Sequence, residues 1–147
     1  MRTILLTALA IATLALLGCT TSTQPTEPAA DASAIGAWSL TKIEDERYDL
    51  PSGARSPTLT ITESGRLSGQ AGINRFSGST DADALEHGEW NPGGIVTTRM
   101  GGEPEALAFE QQYVSRMQRA DTIAVGPQWL ELRIGSRPLL RFARSGQ

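Results

Sequence analysis

The chain has 147 residues, a mean hydropathy of −0.20, and 13 Lys+Arg against 16 Asp+Glu, for a formal net charge of −3. That balance, with no basic stripe along the sequence, excludes a nucleic-acid backbone as partner. One cysteine and one histidine exclude a disulfide within the monomer and leave little with which to build a zinc site.

Taken in chain order, the first segment is a processing signal. Arg2 supplies a charge, and Ile4 to Leu17 is apolar apart from Thr7 and Thr13. About fourteen residues are too few for a stable membrane-spanning helix. The run ends Leu16-Leu17-Gly18-Cys19, which resembles the lipobox of bacterial lipoproteins. That resemblance implies a signal peptide over residues 1–18, a diacylglyceryl thioether on Cys19, and acylation (palmitate) of the new amine after cleavage. An ordinary cleaved signal with an incidental cysteine is the alternative. Two or more acyl chains hold a protein stably on a bilayer, at about 0.8 kcal/mol per buried methylene. Thr20, not Asp, follows the cysteine. That is similar to the outer-membrane sorting pattern, so the expected address is the inner leaflet of the outer membrane, facing the periplasm. Residues 19–34 then form a lipidated tether, TTSTQPTEPAADASA after the cysteine. Ser, Thr, Pro, Ala and acids cannot build a core. As a flexible chain the tether reaches roughly 20 Å. The globular domain is assigned to residues 35–147.

Within the domain most segments read as strands. Gly36 to Ile43 sets Trp38 and Leu40 between Ser39 and Thr41. Thr58 to Thr62 alternates Leu59 and Ile61 with threonines. Arg66 to Gln70, Phe76 to Thr80 and Gly94 to Thr98 are weaker strands, and Asp81 to Glu89 between the last two reads as a solvated hairpin tip. Pro104 to Ala120 is the one helix. It carries no internal Gly or Pro, and Pro104 suits its first turn. Ala106, Phe109, Tyr113, Val114 and Met117 fall on one face. Thr122 to Val125, Trp129 to Ile134 and Pro138 to Phe142 close the domain. The last two form a hairpin across Gly135-Ser136, with Leu130, Leu132 and Ile134 on one face. The expected fold is α+β: a bent antiparallel β-sheet, a partial barrel, packed by one main α-helix.

Glu110 interrupts the apolar stripe of the helix, three residues before Tyr113 and four after Ala106. A carboxylate there must be paired, or neutral with a raised pKa. Arg75 and Arg99, both in strand-like contexts, are the candidate partners of a structural ion pair. A catalytic carboxylate is the competing reading, although no second acid or histidine is placed to work with it.

The stretch Ser68-Gly69-Gln70-Ala71-Gly72-Ile73-Asn74-Arg75-Phe76-Ser77-Gly78-Ser79 resembles the hallmark of the META domain, the family of HslJ-like heat-shock lipoproteins. Trp38-Ser39-Leu40, Pro57-Thr58-Leu59-Thr60-Ile61, Thr97-Thr98-Arg99-Met100 followed by Glu110, Leu130-Glu131-Leu132 and Leu139-Leu140-Arg141-Phe142 are similar to further parts of that family, in order. On the residues alone, the glycines of the first stretch permit bulges, positive φ or close backbone approach. Asn74 tolerates a left-handed backbone and bonds nearby main chain. The expected product is a sharply bent strand pair with Arg75 aimed at a fixed partner. Many members of the family carry cysteines where Ile73 and Gly102 stand, and these are thought to pair. Their joint absence implies that the two positions are neighbours in the fold.

No cofactor or metal is expected. Asp81, Asp83, Glu86, His87 and Glu89 fail the EF-hand pattern. There is no nucleophile elbow, phosphate loop or dinucleotide fingerprint. The resemblance implies a membrane-anchored, non-enzymatic envelope lipoprotein with a stress-related binding or envelope-maintenance role. Its partners would be the membrane, through Cys19, and an envelope protein. Trp90 is the candidate exposed anchor, with Asn74, Arg75, Arg99 and Glu110 as structural or binding residues, and no catalytic residue. The alternatives are a lysozyme-inhibitor-like binder, against which Lys42 in a strand counts, or a periplasmic carrier of an apolar ligand between helix and sheet. A hydrolase comes last.

Overall fold

Eight strands form, the clearest with period-two burial: β1 (Gly36–Ile43), β2 (Thr58–Ile61), β3 (Arg66–Gln70), β4 (Arg75–Thr80), β5 (Pro92–Thr97), β6 (Thr122–Val125), β7 (Trp129–Ile134) and β8 (Arg137–Arg144). Two helices, α1 (Ala82–Glu86) and α2 (Pro104–Arg119), are inserted among them. This structure, a computed structural model, describes residues 32–146. The expected signal peptide, Cys19 and the tether as far as residue 31 lie outside the described residues. The strands form one open antiparallel sheet of order β5-β4-β3-β2-β1-β8-β7-β6, so the fold is α+β. The first and last strands meet in its middle, with Trp38 opposite Arg144 and Leu40 opposite Phe142.

No ladder joins β5 to β6 among the described residues. A single bridge, Glu89 to Thr122, ties the chain entering β5 to the far edge. Trp90 N–H donates to Asp121 O and Ile123 N–H to Gly88 O, both at 2.9 Å. Alternate strand residues meet in one core, among them Trp38, Leu59, Ile61, Leu67, Phe76, Leu130, Leu132, Leu140 and Phe142. α2 buries Ala106, Glu110, Tyr113 and Met117, at the three-and-four spacing of an amphipathic helix. The Tyr113 ring lies 6.2 Å from Phe76 and 6.4 Å from Phe142, and its hydroxyl donates to Thr58 O at 3.3 Å.

Two expectations change. The segment after β4 is a short helix, α1, where the sequence suggests a hairpin tip. Asp81 caps it by accepting from Asp83 N–H at 3.0 Å, as capping acids do, and Leu85 is its buried side chain. Trp90 is an interior residue, not an exposed anchor. It is 2% exposed, and its indole N–H donates to Met117 O at 2.8 Å. The bridge to β6 turns this tryptophan inward, and α2 supplies the acceptor that a buried indole needs. Ile134 follows Leu130 and Leu132 in alternation but lies beside the turn at Gly135, outside the packed interior, and is exposed.

Candidate functional site

The turn between β3 and β4 is built around Gly72, whose φ of 142° lies in the region that favours glycine. A Cβ there would also press on Glu110 Cβ at 3.4 Å. Ala71 N–H donates to Asn74 O at 2.8 Å, and Gln70 Nε2 donates to Gly72 O at 2.8 Å. The folded turn presents two successive main-chain N–H groups to α2. Ile73 N–H reaches Glu110 Oε2 at 3.0 Å and Asn74 N–H reaches the same oxygen at 2.6 Å. Asn74 Nδ2 donates to Oε1 at 2.9 Å. All three partners are N–H donors, which matches a carboxylate that only accepts.

Asn74 faces the other way as well. Its Oδ1 accepts from Thr98 Oγ1 at 2.8 Å and from Met100 N–H at 2.6 Å. One asparagine therefore joins the β3–β4 turn, helix α2 and the segment leaving β5. Glu110 and Asn74 are 6% and 3% exposed, and no buried side-chain polar atom among the described residues lacks a partner. The cluster is a saturated brace.

The expected ion pair is corrected by this geometry. Arg75 and Arg99 are both exposed, and neither forms an ion pair among the described residues. Strand alternation points Arg75 away from the face that carries Asn74 and Phe76. Arg75 contributes only main chain: its N–H donates to Thr98 Oγ1 at 3.2 Å, and its C=O accepts from Thr98 N–H at 3.0 Å. Thr98, which sequence reasoning did not single out, is thus part of the brace. Its only signal was its place in the Thr97–Met100 motif.

Ile73 and Gly102 are neighbours, as the family resemblance implies. A Cβ at Gly102 would overlap Ile73 Cδ1 and lie 3.1 Å from its Cγ1. The isoleucine fills the space that a second side chain would need.

A second buried carboxylate escaped sequence reasoning. Glu131 on β7 accepts from Arg133 Nε at 2.8 Å and pairs with Arg141 Nη1 at 3.1 Å, while Arg141 also covers the Trp129 ring at 5.6 Å. Glu131 and Arg133 share a strand face with Arg141 opposite, a pattern that alternation could have flagged. Lys42 is half-buried in β1, opposite Arg141, and projects from no loop. His87 caps α1, with Nδ1 2.8 Å from Asp83 O. Among the described residues no group of three or more His, Cys, Asp or Glu is placed to hold a metal ion, and no helix is long and apolar enough to cross a membrane.

Three titrating groups are shifted, the first being the Tyr48 phenol, which burial raises. Burial, reinforced by the nearby Tyr48, raises the Tyr113 phenol well above its ordinary value. The Thr122 hydroxyl, then the Gly135 N–H, hold Asp121 below the usual carboxylate range.

Among solved structures, the solution structure of a protein from Burkholderia xenovorans is 26% identical, with a TM-score of 0.57, and the match spans 84% of this chain and 100% of that one. A second solution structure is 20% identical at a TM-score of 0.53, over 72% of this chain and 86% of the other. That likeness is one of fold. No curated protein matches the chain. The META domain model matches residues 32–147, the whole of the sheet, both helices and the Asn74–Glu110 brace, and the chain belongs to the META-domain family.

Proposed function

We propose that this is a lipid-anchored envelope protein whose META domain works by binding, not by catalysis. In this reading the sheet bends into a partial barrel with α2 packed across one end. The observation that carries the non-enzymatic part is the state of Glu110. The one carboxylate that the sequence offers as a catalytic group engages both oxygens in holding the β3–β4 turn, so taking up a proton there would weaken the brace itself. In this reading the domain faces the periplasm from the outer membrane, an address supported by Leu16-Leu17-Gly18-Cys19 and the Thr20 that follows. A stress-related role is what membership of the family suggests.

Detergent phase partitioning of the protein made in a Gram-negative host tests the anchor. The wild type is expected in the detergent phase and Cys19→Ala in the aqueous phase; equal partitioning of the two sinks the address. In-cell crosslinking, with Cys19→Ala as control, then identifies the envelope partner. A Glu110→Gln variant that kept its stability and lost an enzymatic activity would overturn the non-catalytic reading.

A further inference from the structure

A cavity of about 590 Å³ lies at the end of the sheet away from the Asn74–Glu110 brace. Its size falls within the roughly 300–1,000 Å³ of small-molecule sites. Its walls come from the start of the domain (Ala34, Ile35), the β2–β3 turn (Glu63), α1 (Leu85, Glu86) and the end of β6 (Val125). Ala34 and Leu85 are buried, and Ile35 and Val125 are half-buried. They make an apolar floor.

The wall at the start of the domain is held in place. Arg144, at the end of β8, stacks on Trp38 with its guanidinium carbon 4.2 Å from the ring centre. It donates Nε to Pro127 O at 3.1 Å, Nη1 to Ile35 O at 3.2 Å and Nη2 to Ser33 O at 2.8 Å. The Trp38 indole N–H donates to Ala34 O at 2.8 Å. A planar guanidinium with every nitrogen engaged is a rigid clamp. The cavity is therefore preformed, which lowers the ordering cost of binding.

Two carboxylates, Glu63 and Glu86, stand exposed at its rim, and neither is in an ion pair among the described residues. No Lys or Arg lines the cavity. The chain's own residues 20–31 do not suit it: they contain Glu27 and Asp31, no cation, and no apolar side chain beyond Pro and Ala. A second copy docked through the same face would set like charges against each other.

We propose that this cavity binds a small amphipathic cation, its apolar body against Ala34, Ile35, Leu85 and Val125 and its ammonium or amidinium group at Glu63 and Glu86. The site involves neither Cys19 nor Glu110, so its failure would leave the proposed anchor and the non-catalytic reading standing. The test uses the chain from residue 19 onward carrying Cys19→Ala, with n-octylammonium as the probe and n-octanol and octanoate as uncharged and anionic controls. Calorimetry and amide chemical shifts read the binding. Octylammonium is expected to bind about tenfold or more tighter than octanol, to shift the amides of residues 34, 35, 63, 85, 86 and 125, and to outbind octanoate. The double variant Glu63→Gln, Glu86→Gln, exposed and structurally undemanding, is expected to erase the preference for charge while leaving weak apolar binding. Val125→Trp is expected to fill the cavity and abolish both. The proposal is overturned if octylammonium does not bind, if it binds no better than octanol, if the shifted amides lie elsewhere, or if the double variant keeps the preference.

Discussion

Glu110 is a buried acid with amide partners in place of cations, and that distinction sets what a substitution does. Glutamine keeps the volume but replaces one acceptor by an NH₂ group, which must then face an N–H of Ile73 or Asn74. Glu110→Gln is expected to lower stability by roughly 2–3 kcal/mol, the range for losing charge-assisted bonds and stranding a buried donor, read from urea unfolding. An unchanged midpoint would mean the brace is not structural. Tyr113 makes the pH prediction. Its folded pKa is raised, by burial first, so its contribution is complete below the unfolded value of about 10 and is lost as pH rises towards the folded value. The Tyr48 phenol, also raised by burial, adds to the same fall. The urea midpoint is expected to fall as pH rises past about 10, and Tyr113→Phe to reduce that fall to the part carried by Tyr48; parallel profiles would refute the assignment. The anomaly at Glu110 was visible in the sequence because a carboxylate breaks an apolar stripe. Its partners were not visible, because main-chain N–H groups carry no residue identity.

The elements that meet at the brace are held by small local devices, and the sequence shows them unevenly. Gly72 and Asn74 marked the β3–β4 turn as special, and the structure uses both. α1 was missed because one turn of helix has almost no periodicity, and its Asp81 cap resembles any loop acid. Ile73 against Gly102 offers a test at this scale. With Cys19→Ala as background, Ile73→Cys with Gly102→Cys is expected to close a disulfide between the β3–β4 turn and the segment before α2, in keeping with the approach of Ile73 Cγ1 to a Gly102 Cβ. Linking two distant segments should raise stability by about 3 kcal/mol, lost on adding reductant. Free thiols in the folded oxidised protein would show that the positions are not close enough.

At the scale of the molecule, the sheet is a chain of local hairpins except at three places. Neighbours in sequence pair from β1 to β5 and from β6 to β8, and these strands were legible from alternation and turn residues. The β1–β8 ladder, the bridge from Glu89 to Thr122 and the inward turn of Trp90 were not, because each joins residues with no local signal of partnership. Trp90 tests how much the bridge matters. Trp90→Ala removes a buried ring and an indole bond that ties the edge of the sheet to α2, with an expected loss of about 3–5 kcal/mol; an exposed anchor would cost almost nothing.

The placement of β1 has a mechanical consequence. The chain enters the domain through a strand that lies between β2 and β8, with its first residues clamped by Arg144. Tension arriving from the residues before Ala32 cannot unzip an edge one bond at a time. It meets the Arg144 clamp first and then a strand paired on both sides, so each step of detachment must loosen two ladders where a terminal hairpin would loosen one.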